Sequence, residues 1–120
     1  MYELTIAGHF AAAHYLQGYD GPCKELHGHT WRLQITVQSA ELNALGMVVD
    51  FKDLKARLEV LLQELDHGLL NDRPAFQEQN PTTENLARYV YQRFAELCAP
   101  MRVKEVRVWE SDSSSVRYYE

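Results

Sequence analysis

The stretch His27-Gly28-His29-Thr30-Trp31-Arg32-Leu33-Gln34-Ile35-Thr36-Val37-Gln38 decides the fold, because apolar and polar side chains alternate strictly along most of it. Alternate residues of an extended chain point to opposite faces. The apolar face carries Trp31, Leu33, Ile35 and Val37, and the polar face carries Arg32, Gln34, Thr36 and Gln38. The pattern predicts a strand over 27–38 with one buried face and one face in water.

The segments before this strand predict a partner for it. Residues from Tyr2 to about Tyr15 are mostly β-branched, aromatic or small, which is typical of a strand. Leu16–Leu26 contains two glycines and a proline, which is the composition of a loop. If the two strands pair antiparallel, the end of the first lies beside the start of the second.

Two amphipathic helices are predicted after a connection over 39–46. Asp50 is the expected N-cap of the first helix, which stops near Leu65, and 66–80 is expected to be mostly loop. Pro81-Thr82-Thr83-Glu84 is expected to open the second helix, with a hydroxyl cap followed by an acidic residue, and Pro100 ends that helix. The apolar stripes of the helices are Leu54, Leu58, Leu61, Leu62 and Leu65 in the first, and Leu86, Val90, Phe94 and Leu97 in the second.

Strands over 102–110 and 115–119, with a turn over 111–114, complete a β-β-α-α-β-β order. The order predicts one α+β domain over 1–120, with an antiparallel four-stranded sheet and both helices on one face. The polar face of the 27–38 strand and two open sheet edges predict self-assembly.

Bulk composition narrows the function classes. The chain has 120 residues and a net charge of −5, which argues against non-specific nucleic-acid binding. It has no apolar run near the ~18 residues of a membrane span, and its N-terminal segment lacks the pattern of a secretory signal. Cys23 and Cys98 are far apart and do not suggest a disulfide framework, so we expect a cytoplasmic protein.

Three of the five histidines are expected to converge. His27 and His29 are two apart on a strand and so point to the same side. His14, near the end of the preceding strand, would lie beside them. Three neutral imidazoles suit Zn²⁺ and leave a fourth position open, as catalytic zinc sites do. His9 has no partner by this argument and is predicted to be an ordinary strand residue.

Other residues with chemical potential remain open to two interpretations each. Cys23, in the loop before His27, is either a fourth zinc ligand that closes the site or a reactive thiol beside the metal. Asp66 and His67 form either a polar helix end or a proton-transfer pair in which the carboxylate fixes the imidazole tautomer. Glu110, at a strand end, is either solvated or binds paired donors of a heterocycle.

A series of motifs in order along nearly the whole chain resembles the 6-pyruvoyl-tetrahydropterin synthase family. The motifs are Phe10-Ala11-Ala12-Ala13-His14, Cys23-x-x-x-His27-Gly28-His29, Gly46-Met47-Val48-Val49-Asp50-Phe51, Leu65-Asp66-His67, Leu70-Asn71, Pro81-Thr82-Thr83-Glu84-Asn85 and Glu110. The resemblance implies that His14, His27 and His29 hold a zinc ion and that Cys23 is the catalytic base.

The resemblance also implies roles for residues later in the chain. Asp66 and His67 would complete a Cys-His-Asp relay, with the pair supplied by a neighbouring subunit. Glu110 would anchor a pterin ring through its ring and exocyclic nitrogens, with Thr82 and Thr83 near the same ring. The fold implied is the tunnelling fold, a barrel around a channel in a homohexamer built as a dimer of trimers.

The spacing of the cysteine motif is similar to one branch of the family. Three residues separate Cys23 from His27, as in the bacterial branch that serves queuosine biosynthesis. That branch converts 7,8-dihydroneopterin triphosphate to 6-carboxytetrahydropterin and releases acetaldehyde and triphosphate. A pyruvoyl-forming or dual activity stays open. A folate-type activity is disfavoured by Lys24, which stands where that branch has Glu. A zinc-binding structural module is the non-enzyme alternative.

Overall fold

A computed structural model describes the whole chain, residues 1–120. In chain order the elements are β1 (Tyr2–His14), β2 (His27–Ser39), α1 (Phe51–Leu65), β3 (Gly68–Leu69), α2 (Thr83–Cys98), β4 (Arg102–Ser111) and β5 (Ser114–Tyr119). Single 3₁₀ turns occupy Pro22–Lys24, Leu70–Asp72 and Pro74–Phe76. The predicted α+β class is confirmed, and the four predicted strands have ends within one residue of those expected.

The sheet has five strands in the order β3-β1-β2-β4-β5, so the predicted count of four was wrong. The additional strand, β3, pairs parallel with β1 through Ala12↔Gly68 and Ala13↔Leu69. A strand of two residues is too short to produce an alternating pattern, which is why the sequence predicted only loop there. β3 brings the chain that leaves α1 against the end of β1 nearest His14.

Both helices pack on one face of the sheet and contact each other around a single core, as predicted. The apolar face of β2 is fully buried against them, and Leu54, Leu58 and Leu61 of α1 are among the residues that cover the sheet. Burying each such side chain contributes about 1.5–3 kcal/mol. Thr36 departs from the expected polar face, since it is buried and its hydroxyl lies 3.0 Å from that of Thr5.

The predicted helix caps are present. Asp50 accepts a hydrogen bond from the amide of Lys52 at 2.8 Å, and the Thr82 hydroxyl accepts one from the amide of Asn85 at 3.1 Å. Each bond satisfies an otherwise free amide of a helix start. Neither helix is long and apolar enough to cross a membrane.

Candidate active site

Strand register brings the three predicted histidines together. β1 and β2 pair antiparallel with His14 directly opposite His27 and Ala12 opposite His29. The ring centroids lie 4.5 Å apart for His14 and His27, 5.1 Å for His14 and His29, and 4.8 Å for His27 and His29. One ring nitrogen from each residue lies within 4.8 Å of the other two. The predicted convergence is confirmed, and the cluster is positioned to bind a metal ion.

Backbone carbonyls fix the tautomers of two of these rings. The Nδ1 atom of His14 lies 2.8 Å from the carbonyl oxygen of Pro81, and that of His27 lies 2.6 Å from the carbonyl oxygen of Glu25. A carbonyl only accepts, so both Nδ1 atoms must donate. In a neutral ring this leaves Nε2 as a lone-pair donor to a metal, the arrangement that outer hydrogen bonds impose on metal-bound histidines.

The Nε2 atoms of the three rings have no hydrogen-bond donor within the protein, so a metal ion could bind their lone pairs. The Nε2 atoms of His14 and His27 face each other at 2.9 Å although neither has a hydrogen to donate. His29 Nε2 is buried without a hydrogen bond, although Glu110 Oε1 lies 3.5 Å away. Burial lowers the pKa of both His14 and His29, which favours the neutral, ligating form. The donor set therefore fits Zn²⁺.

Trp31 forms the floor beneath the cluster. Its indole is fully buried, with ring centroids 5.1 Å from His14 and 5.0 Å from His29. Its Nε1 donates to the carbonyl of Ala12 at 3.2 Å, which fixes the ring. Sequence reasoning assigned Trp31 to the core alone, and it missed the two carbonyls of Pro81 and Glu25 because backbone acceptors carry no residue signature.

Glu110 lies beside the cluster, at the end of β4. The Thr83 hydroxyl donates to its Oε2 at 2.7 Å, and 32% of the Glu110 side chain remains exposed. The residue before Thr83, Thr82, is the N-cap of α2, and its hydroxyl accepts from the amide of Asn85. The carboxylate is thus held in one orientation while keeping acceptor capacity for a ligand.

Cys23 lies on the 3₁₀ turn Pro22–Lys24 and is half-buried with a free thiol. Its sulfur does not belong to the cluster of His14, His27 and His29. Its carbonyl accepts from the amide of Leu16 at 3.0 Å. In this chain the histidine cluster is therefore a three-ligand group with the thiol outside it.

Asp66 and His67 form a hydrogen-bonded pair against the edge of β1. The Asp66 carboxylate accepts from the Ala11 amide at 2.9 Å and from His67 Nδ1 at 2.8 Å. These bonds, with Ala11 first, lower the pKa of Asp66. His67 has a left-handed backbone with φ 57°, and 84% of its side chain is exposed.

The His67 ring borders a cavity of about 500 Å³ that His29 and Gly28 also line. The same ring also borders a cavity of about 710 Å³ along β1 and α1. Within one chain the Asp66–His67 pair makes no hydrogen bond to Cys23. The structure thus brings the three histidines, Glu110 and Thr83 together, whereas Cys23 and the Asp66–His67 pair lie outside this group.

The five-stranded sheet, the two helices on one face and the three-imidazole cluster at the β1–β2 end define a tunnelling-fold protein with three histidines positioned to bind a metal. The structure of 6-pyruvoyl tetrahydropterin synthase from Caenorhabditis elegans superposes with a TM-score of 0.90 over 99% of this chain and 95% of that one, at 23% identity. The chain belongs to the 6-pyruvoyl tetrahydropterin synthase family, whose model matches residues 3–120.

Two relatives carry a more specific name. The 6-carboxy-5,6,7,8-tetrahydropterin synthase of Haemophilus influenzae is 30% identical, with all of both chains covered. The protein of the same name from Synechocystis is 37% identical over 92% of this chain and 87% of its own. Both matches therefore span most or all of this chain.

Proposed function

We propose that this chain is a zinc-dependent lyase that converts 7,8-dihydroneopterin triphosphate to 6-carboxytetrahydropterin, for queuosine biosynthesis. Acetaldehyde and triphosphate leave, and one water supplies the second carboxylate oxygen. The pterin ring takes up the two hydrogens and two electrons that the side chain loses, so no external reductant is needed. The names of the relatives and the three-residue spacing between Cys23 and His27 support this activity over pyruvoyl formation.

The observation that carries the proposal is that the Nε2 atoms of His14, His27 and His29 converge and have no hydrogen-bond donor within the protein. When bound there, zinc supplies Lewis-acid polarisation of the hydroxyl and carbonyl oxygens of the substrate side chain. The two carbonyls that hold the Nδ1 atoms keep the rings in the ligating tautomer. The fully buried Trp31 excludes water from beneath the cluster.

Cys23 is the proposed base that takes a proton from the carbon skeleton of the substrate and returns it. A thiol is suited to this role when nearby positive charge favours the thiolate. Asp66 and His67 complete the relay from a neighbouring subunit, because the His67 ring is exposed and the pair makes no hydrogen bond to Cys23 of its own chain. Asp66 fixes the tautomer of His67 so that the outer ring nitrogen exchanges the proton.

Glu110 is the proposed anchor of the pterin ring. Its carboxylate accepts from paired ring and exocyclic N–H groups, a charge-assisted contact that also sets the orientation of the side chain toward the metal. The Thr83 hydroxyl holds Glu110 in place, and Thr82 fixes the start of α2 nearby.

The shared relay requires an assembly, which we propose to be a cytoplasmic homohexamer built as a dimer of trimers. Both thiols are free, which suits a reducing compartment. Mixing C23A with H67A subunits tests the sharing: if each site combines Cys23 of one chain with His67 of another, unfolded and co-refolded mixtures regain activity that each variant alone lacks. A mixture as inactive as its components contradicts a shared site.

Product identity tests the reaction itself. Purified protein with measured zinc content is given 7,8-dihydroneopterin triphosphate, and acetaldehyde and the pterin product are quantified. Equal amounts of acetaldehyde and 6-carboxytetrahydropterin are expected. A pterin that keeps its three-carbon side chain would instead establish the pyruvoyl-forming activity, and zinc binding without turnover would favour a structural module.

A further inference from the structure

The segment Tyr15–Gln17 directly follows His14. Along one edge of this segment, backbone amides and carbonyls form hydrogen bonds with two asparagine side chains where a neighbouring strand would otherwise pair. Asn71 accepts from the Tyr15 amide at 3.0 Å and donates to the Tyr15 carbonyl at 2.9 Å. Asn80 makes the same two bonds with the amide and the carbonyl of Gln17, both at 2.9 Å. Each carboxamide thus replaces a peptide group of a neighbouring strand. We call Asn71 and Asn80 the amide clamp.

The opposite edge of the same segment holds the Cys23 loop. In an extended chain successive residues present their backbone groups to opposite edges. Tyr15 and Gln17 therefore face the amide clamp, and Leu16 between them donates its amide to the carbonyl of Cys23 at 3.0 Å. The far end of the loop is fixed by the bond from His27 Nδ1 to the carbonyl of Glu25.

The amide clamp is itself anchored to the histidine cluster, through Pro81, and to α2, through Asn85. Asn80 precedes Pro81, whose carbonyl accepts from His14 Nδ1 at 2.8 Å. The carbonyl of Asn80 accepts from the Asn85 side chain at 2.8 Å, and that of Asn71 accepts from the Gln77 side chain at 3.1 Å. The residues that hold segment 15–17 therefore belong to the same stretch of chain, Asn80–Pro81, that orients the ring of His14.

We propose that Asn71 and Asn80 are positioning residues that set the distance of the Cys23 thiol from the cluster of His14, His27 and His29. They act through segment 15–17 and the Leu16–Cys23 bond, since their carboxamides are already engaged with the backbone. Their effect on turnover rests on the proposed function of Cys23 as the base. Displacing a catalytic group by about 1 Å can cost about 100-fold in rate.

The double variant N71A/N80A removes all four clamp bonds. We expect kcat to fall between about 10- and 100-fold with little change in KM, because the thiol is misplaced while the pterin anchor stays intact. We expect zinc content to stay at the wild-type level. The rate of Cys23 alkylation by iodoacetamide, followed by mass spectrometry, is expected to rise severalfold as the loop is released. Cys98 is fully buried and serves as the internal unreactive thiol.

Asn43 provides the matched control. Its side chain accepts from the amides of Leu45 and Met47 at 2.9 and 3.1 Å, in the loop that follows the end of β2 opposite to His27. N43A is expected to leave both kcat and the alkylation rate unchanged. N71D and N80D keep the acceptor of each pair and lose the donor, so they are expected to fall between wild type and the double variant, and they provide the test if N71A/N80A does not fold.

Two results would overturn the inference: wild-type kcat and alkylation rate in the folded clamp variants, or the same changes in N43A. The alkylation comparison does not depend on turnover. If the wild-type protein fails to convert 7,8-dihydroneopterin triphosphate, the proposed function fails while the alkylation rates still decide whether the clamp positions Cys23.

Discussion

The Nε2 atoms of His14 and His27 face each other at 2.9 Å, and the Nδ1 atom of each ring is committed to a backbone carbonyl. Two lone pairs at this distance repel each other unless a cation lies between them. We therefore expect a cation bound between the two rings to stabilise this arrangement. Metal binding and folding stability should be coupled in this chain.

Replacing a cluster histidine should release zinc and destabilise the fold. H14A, H27A and H29A are each expected to purify with little zinc, and the wild-type protein is expected to purify with one ion per chain. A ligand at 100 times its Kd stabilises by about 2.7 kcal/mol, so chelation should lower the wild-type Tm. H9A is the control, because His9 is exposed on β1 outside the cluster. Full zinc occupancy in all three variants would contradict the site.

Cys23→Ala should separate catalysis from metal binding. The thiol lies outside the histidine cluster, so C23A is expected to keep its zinc and to lose at least about 100-fold in kcat, as loss of a general base does. C98A removes the buried thiol of α2 and is expected to keep activity. Turnover in C23A near the wild-type level would remove Cys23 from the role of base.

Glu110 should act mainly on substrate binding. E110Q replaces the charged acceptor and is expected to lower kcat/KM about 10- to 100-fold, chiefly through KM, as loss of a charge-assisted hydrogen bond does. T83A should show a smaller effect in the same direction, and T83S, which keeps the hydroxyl that bonds Glu110, should restore it. A KM unchanged in E110Q would exclude the anchoring role.

The Glu64–Arg93 pair gives the fold a pH dependence away from the site. Arg93 of α2 bonds both carboxylate oxygens of Glu64 on α1, and these bonds hold the pKa of Glu64 below its ordinary value. A carboxyl group whose pKa is lower in the folded state stabilises the fold at pH values above its unfolded-state pKa. This contribution is lost as the pH falls through its folded-state pKa.

Stability in urea measured from neutral pH down to about pH 3 should therefore fall less steeply for E64Q than for wild type. E59Q, on the exposed side of α1, is the control and should follow wild type. Parallel pH profiles of the unfolding free energy for E64Q and wild type would show that the Glu64–Arg93 pair does not contribute to the pH dependence of stability.

Much of the site followed from alternation and antiparallel pairing. Once 27–38 is assigned as a strand, His27 and His29 share a face, and antiparallel pairing with the first strand predicts that His14 lies beside them. The structure places His14 opposite His27. Side-chain period and loop direction, which a sequence displays, predict this proximity, whereas the exact register also depends on the geometry of the loop. The helix caps Asp50 and Thr82 were predictable for a similar reason, because a cap is a local pattern.

The remainder depends on contacts between distant residues. β3 has two residues and forms only because α1 delivers it to the edge of β1. The carbonyls of Pro81 and Glu25 that fix the tautomers belong to the backbone. The bonds from Asn71 and Asn80 span 56 and 63 positions of the chain, so no periodicity announces them.

X-ray absorption at the zinc edge tests the central claim most directly. Purified protein should show three imidazole nitrogens at about 2.0–2.1 Å with one oxygen ligand and no sulfur, and the spectrum of C23A should be the same. A sulfur ligand at about 2.3 Å, lost in C23A, would mean that Cys23 closes the site. A protein without zinc, or with fewer than three imidazole ligands, would contradict the account.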